Sequence, residues 1–138
     1  MFFVFRGMRQ ERVLSTPTST AHAAGPAQIA AGELLYARHC ASCHGPELEG
    51  QPEWKKRLPD GRFPAPPHDQ TGHTSHHSDE MLFRATKYGR EPTARGWAMS
   101  GMPLFGETLT DSEIWAVIEF IKSRWPPEMR ERQARLNR

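Results

Sequence analysis

The chain has no third cysteine: Cys40 and Cys43 are the only two among 138 residues. A zinc site of the thiolate type would therefore lack two of its soft ligands. Aromatic residues are scarce at 9% and apolar residues reach only 37%, which is thin for a self-sufficient core in one domain of this length. An excess of one charge is missing too. The formal charge is +2, and setting aside residues 1–23 leaves 15 basic against 15 acidic residues. There is no basic patch of the kind that binds nucleic acid. What the chain has in quantity is proline, 12 residues, and glycine, 11 residues. That balance predicts long connecting loops rather than a large sheet.

Both cysteines fall in one pentapeptide, Cys40-Ala41-Ser42-Cys43-His44. C-x-x-C-H is the pattern of covalent c-type haem attachment. Its two thiols add across the haem vinyl groups, and the next residue carries an imidazole onto the haem face, where it can coordinate iron. A thioredoxin-like redox motif also uses C-x-x-C, but it wants a βαβ setting and no histidine. Nothing flanking this string alternates as a strand. A covalently held haem would also supply the apolar plate that the thin core lacks.

The N-terminal segment reads poorly as a secretory leader. Arg6, Arg9 and Arg12 precede a small-x-small end at Ala21-His22-Ala23, but the apolar middle of about 7–15 residues is absent. Residues 1–24 are expected to be a leader or a disordered segment, too short and polar to span a membrane.

From Pro26 the sequence is helical. Ile29, Gly32, Tyr36, His39 and Cys40 recur at spacings of three and four, which puts them on one face. Gly32 costs that helix about 1 kcal/mol relative to alanine, so a second helix crossing closely against it is expected. The partner is marked by a capping box at Thr110-Asp111-Ser112-Glu113, flanked by the staple pair Leu109 and Ile114. Ile114, Val117, Ile118, Ile121 and Trp125 then form an apolar stripe, ended by Pro126-Pro127. A third helix runs from a Ser78 cap through Met81-Leu82-Phe83 to about Tyr88, with Gly89 as its stop. Residues 128–138 are charged all round and read as a solvated helical tail.

On these residues the chain resembles a class I cytochrome c of the small bacterial, single-haem kind. The likeness covers about Gly32 to Pro127, with the domain proper at 25–127. Gly32, Tyr36 and Cys40 match the family's spacing on its N-terminal helix. Val117 and Phe120 match the aliphatic and aromatic that its C-terminal helix offers in return. The resemblance implies an all-α cytochrome c fold, a few helices around one covalently bound haem with crossed N- and C-terminal helices. It also implies a second iron ligand, a methionine in a loop before the last helix. Gly101-Met102-Pro103-Leu104 fits, 58 residues after His44, with Met99 as the competitor. His/Met ligation raises the potential, and Pro103 helps to hold the loop extended. The family's acceptor for the histidine's free ring N–H is a proline carbonyl, for which Pro66 is the candidate. Trp97 resembles a tryptophan that holds a haem propionate in short bacterial cytochromes, and plain packing on the haem edge is its other reading. Arg84, Arg90 and Arg95 are candidates to neutralise propionates, or simply solvated.

One feature departs from the plain pattern. His68, His73, His76 and His77 crowd into ten residues, four of the chain's seven histidines. Imidazole is the commonest metal ligand, but with no thiolate or helical i, i+4 pair a polar loop is the reading preferred here. The function expected is electron transfer with haem c and iron as cofactors, not enzymatic catalysis. It would run in the periplasm, between redox partners such as a dehydrogenase, a bc1-type complex or a terminal oxidase or reductase. The rivals are a haem c subunit of an oxidoreductase complex, a five-coordinate haem sensor or enzyme if Met102 does not ligate, and a metal-handling protein using the histidine cluster.

Overall fold

A computed structural model describes residues 24–89 and 101–138. The described residues are all-helical, with five α-helices and no strand: α1 (Pro26–His39), α2 (Ala41–His44), α3 (Asp79–Tyr88), α4 (Asp111–Ser123) and α5 (Pro127–Ala134). Residues 1–23, most of the expected leader, lie outside the described residues.

α1 opens on Pro26, whose fixed φ suits the first turn and whose missing N–H would be unbonded there anyway. α4 starts where the capping box predicts. The Thr110 side chain accepts from Glu113 N at 3.2 Å, and Glu113 returns the bond to Thr110 N at 3.0 Å. Ser78 likewise caps α3, and Gly89 ends it at φ +84°.

The helix pair α1 and α4 is the brace of the molecule. A Cβ on Gly32 would run into the Ala116 carbonyl and lie 2.9 Å from Phe120 Cβ. The backbones therefore touch where the side chain is missing. The nearest obstacle is Ala116 rather than the expected Val117, which instead packs nearby with Tyr36 and Phe120. Tyr36 and Phe120 rings meet at 5.4 Å. A second cluster joins Phe105, Leu109, Ile114 and Ile118, so both residues of the predicted staple are in the core. α3 closes on this side by stacking Phe83 on Trp115, with ring centroids 4.5 Å apart.

The tail is the one element whose expected setting is overturned. It is helical, but it is docked rather than solvated, since Met129 and Gln133 are buried. Met129 joins the Tyr36–Trp125 cluster. Gln133 Nε2 donates to Asp79 Oδ1 at 2.7 Å and to His77 O at 3.1 Å. Asp79 N donates to Asn137 Oδ1, and Lys122 Nζ donates to both Asp79 and Glu119. A sequence with so many charges hides this: two buried residues one turn apart suffice to seat a short helix, while its other side chains stay wet.

Candidate functional site

The end of α1 runs directly into the C-x-x-C-H string. Cys40 N bonds to Tyr36 O at 2.9 Å, and His44 N bonds back to Cys40 O at 2.9 Å. Cys40, Cys43 and His44 are thus held on one further helical turn. Tyr36 fastens that turn from beneath by donating its hydroxyl to Gly45 O at 2.7 Å, and burial pushes its pKa upward. Gln51 Nε2 donates to Cys43 O at 2.7 Å. Neither bond was visible in the sequence, because each depends on where a loop returns.

Cys40 and Cys43 are not joined in a disulfide. Burial, reinforced by Cys43, pushes the Cys40 thiol up to about 11. A redox-active C-x-x-C needs the opposite shift, since the thiolate is the reactive form.

His44 is buried, 7% exposed. Its Nδ1 lies 2.7 Å from Pro66 O, and a carbonyl can only accept. Nδ1 therefore carries the proton, and Nε2 keeps the lone pair that a metal would need. Loss of hydration lowers the His44 pKa despite the bond to Pro66, which favours the neutral, ligating form. Gly50 makes this contact possible. Its φ is +68°, and a Cβ there would collide with Pro67 N and lie 2.7 Å from Pro66 C. The two loop arms approach closely only because residue 50 has no side chain.

Met102 sits at a bend in the loop that leads into the turn Phe105–Glu107. Its loop is bracketed on both sides. Arg62 Nη1 lies 3.0 Å from the Cβ position of Gly101, and Leu104 reaches over Gly89 at the end of α3. Phe105 and Leu109 root the loop in the core. Elsewhere on α3 and on the loops, Met81, Tyr88, Leu104, Leu58 and Phe63 keep apolar surface exposed. Trp97, Met99, Arg90 and Arg95 lie outside the described residues.

A comparison with family models matches residues 29–125 to the one described as Cytochrome c. The chain belongs to the cytochrome c family. No curated protein and no solved structure gives a significant match. As a cytochrome c, the chain has a covalently bound haem c with its iron, and its activity is haem-based electron transfer. The residues present fit that group. Two cysteine side chains not tied up in a disulfide stand on one turn, and the imidazole beside them has its tautomer set with Nε2 as the basic nitrogen.

The four crowded histidines do not form a cluster. His68 turns inward, where its ring stacks on His44 with centroids 4.0 Å apart and planes at 29°. His73 and His76 are exposed, with His73 edge-on to Trp54 at 5.4 Å. Among the described residues, no three His, Cys, Asp or Glu side chains gather where a metal ion could sit.

Proposed function

We propose that this cytochrome c is an electron carrier whose haem is held by Cys40 and Cys43 and ligated by His44 and Met102. The observation that carries this reading is the His44 Nδ1–Pro66 bond of 2.7 Å. It spends the proton-bearing nitrogen on a backbone carbonyl and leaves Nε2 for iron, in a ring whose neutral form is favoured by burial. The haem supplies one reversible electron at its iron when bound, with a potential set by its ligands and by the water it excludes. The protein's own part is to fix both ligands, keep water from the buried histidine side and change little between the two redox states. A thioether favours the reduced iron, and the Gly101–Leu104 loop rooted at Phe105 is suited to bring it to the site. With His44 and Met102 both given to the iron, a bound haem would offer no open site to a substrate, so we read the chain as a carrier rather than an enzyme.

Haem c attachment belongs outside the cytoplasm, so the periplasm is the proposed location. No described helix is long and apolar enough to cross a membrane. The partners are redox proteins: a dehydrogenase, a bc1-type complex, or a terminal oxidase or reductase.

The reading is tested on the holoprotein by its spectrum and by exogenous ligands. Ferric protein should show the weak red charge-transfer band of a thioether–iron bond. Met102→Ala should abolish it, lower the potential and let carbon monoxide bind the ferrous form, while the haem stays attached. Met99→Ala should do none of this. An unmodified ferrous protein that binds carbon monoxide readily would overturn the reading in favour of a five-coordinate sensor or enzyme.

A further inference from the structure

The loop that supplies Pro66 also supplies His68, and His68 has no part in the function argued so far. Its ring stacks on the His44 ring with centroids 4.0 Å apart and planes 29° from parallel. Its backbone N–H, its carbonyl and its Nδ1 are each held by a hydrogen bond. His68 N donates to Leu48 O at 2.8 Å, and His68 O accepts from Trp125 Nε1 at 2.7 Å. Nδ1 shares a 2.7 Å hydrogen bond with Thr74 Oγ1, and Thr74 Oγ1 reaches on to Pro67 O at 3.5 Å.

An imidazole is an expensive way to fill space beside another side chain. An aliphatic residue would do so without needing a polar partner, whereas a half-buried ring nitrogen must be satisfied. Here the chain provides that partner and fastens the residue's backbone from two directions. What a flat ring offers that an aliphatic does not is a plane. The bond to Pro66 pins the His44 ring at one edge only, leaving it free to rock about that point. A fixed ring stacked against it at van der Waals distance limits that freedom.

We propose that His68 is a positioning residue, whose stacked ring sets the plane in which His44 presents Nε2 to the iron. The proposal rests on the reading that His44 is an iron ligand. The plane of an axial imidazole selects which iron d orbital holds the unpaired electron in the ferric state. The paramagnetic shifts of the haem methyl protons report that choice directly, independently of any electron-transfer activity.

The test is proton NMR of the ferric holoprotein for four variants. His68→Leu removes the plane and should rearrange the order and spread of the methyl resonances. His68→Phe keeps a flat ring but loses the bond to Thr74, and it should stay closer to the wild-type order than His68→Leu does. Thr74→Val keeps volume while releasing Nδ1, and it should move the resonances in the same sense as His68→Leu by a smaller amount. It decides the matter should His68→Leu not accumulate. An unchanged pattern in His68→Leu and Thr74→Val overturns the proposal, as does an equal change in the Leu and Phe variants. His44→Ala separates the two claims. If it leaves the ferric spectrum unaltered, the ligand reading itself fails. If it alters the spectrum while His68→Leu does not, only the positioning role is lost.

Discussion

His44 is buried, bonded to Pro66 O and backed by a second imidazole, whereas Met102 lies at a bend in a loop rooted at Phe105. The two sides differ because the two side chains make different demands. An imidazole has two nitrogens, a protonation state and a ring plane, and each must be set by a specific neighbour before Nε2 can serve a metal. A thioether has no proton to place and three rotatable bonds, so a loop needs only to deliver it to the right region. The fold invests its hydrogen bonds accordingly.

The largest expected difference comes from removing each residue in turn. His44→Ala should cost the holoprotein its low-spin spectrum in both redox states and much of its folding cooperativity, since it also empties a buried site. Met102→Ala should leave a folded, low-exposure histidine side and simply free one axial position, which added imidazole should fill. Equal thermal stability of the two variants would break the comparison.

Next in size is the brace beneath the histidine side. Gly32→Val places a branched side chain against the Ala116 carbonyl, and chemical denaturation should show a loss of about 3 kcal/mol, the upper end of overpacking costs. A loss under about 1 kcal/mol would mean the helices can separate cheaply.

Gly50→Ala sharpens the comparison without touching a ligand. It should push the Pro66–Pro67 peptide away, lengthen the bond to His44 and shift the reduction potential, at a stability cost of about 1–2 kcal/mol for an alanine at positive φ. A substitution such as Pro103→Ala on the methionine side should move the potential less. The reverse order, measured by spectroelectrochemistry, would show that the histidine side is not the more tightly set one.

The smallest effect concerns α5. Burial acts to lower the Lys122 pKa, but its bonds to Asp79 and Glu119 outweigh this and carry it above the ordinary 10.5. A raised pKa means the contribution is full below 10.5 and is lost as pH rises through the folded value. Lys122→Met should cost about 1 kcal/mol at neutral pH and flatten the loss of stability seen above that pH. An alkaline limb identical in the two proteins would dissociate Lys122 from the docking of α5.

The parts legible in the sequence were those with local rules. The capping box at Thr110, the Ser78 cap, the Gly89 stop and the apolar stripe of α4 each depend on residues within a turn or two of one another, and all appear as read. The C-x-x-C-H string was equally readable, since its spacing is itself the chemistry. The docked tail was misjudged because its charges are real, and only the position of Asp79 makes Gln133 a buried partner.

By itself, then, the sequence determined the helices, the crossing at Gly32 and the attachment turn, because backbone hydrogen bonding and side-chain periodicity are short-range. The tertiary structure alone decided which of four neighbouring histidines turns inward, that Gly50 lets Pro66 reach His44, and that the last helix is seated. Those outcomes depend on contacts between residues tens of positions apart, such as Trp125 with His68. No local pattern encodes such a contact, because it exists only once the loops have closed.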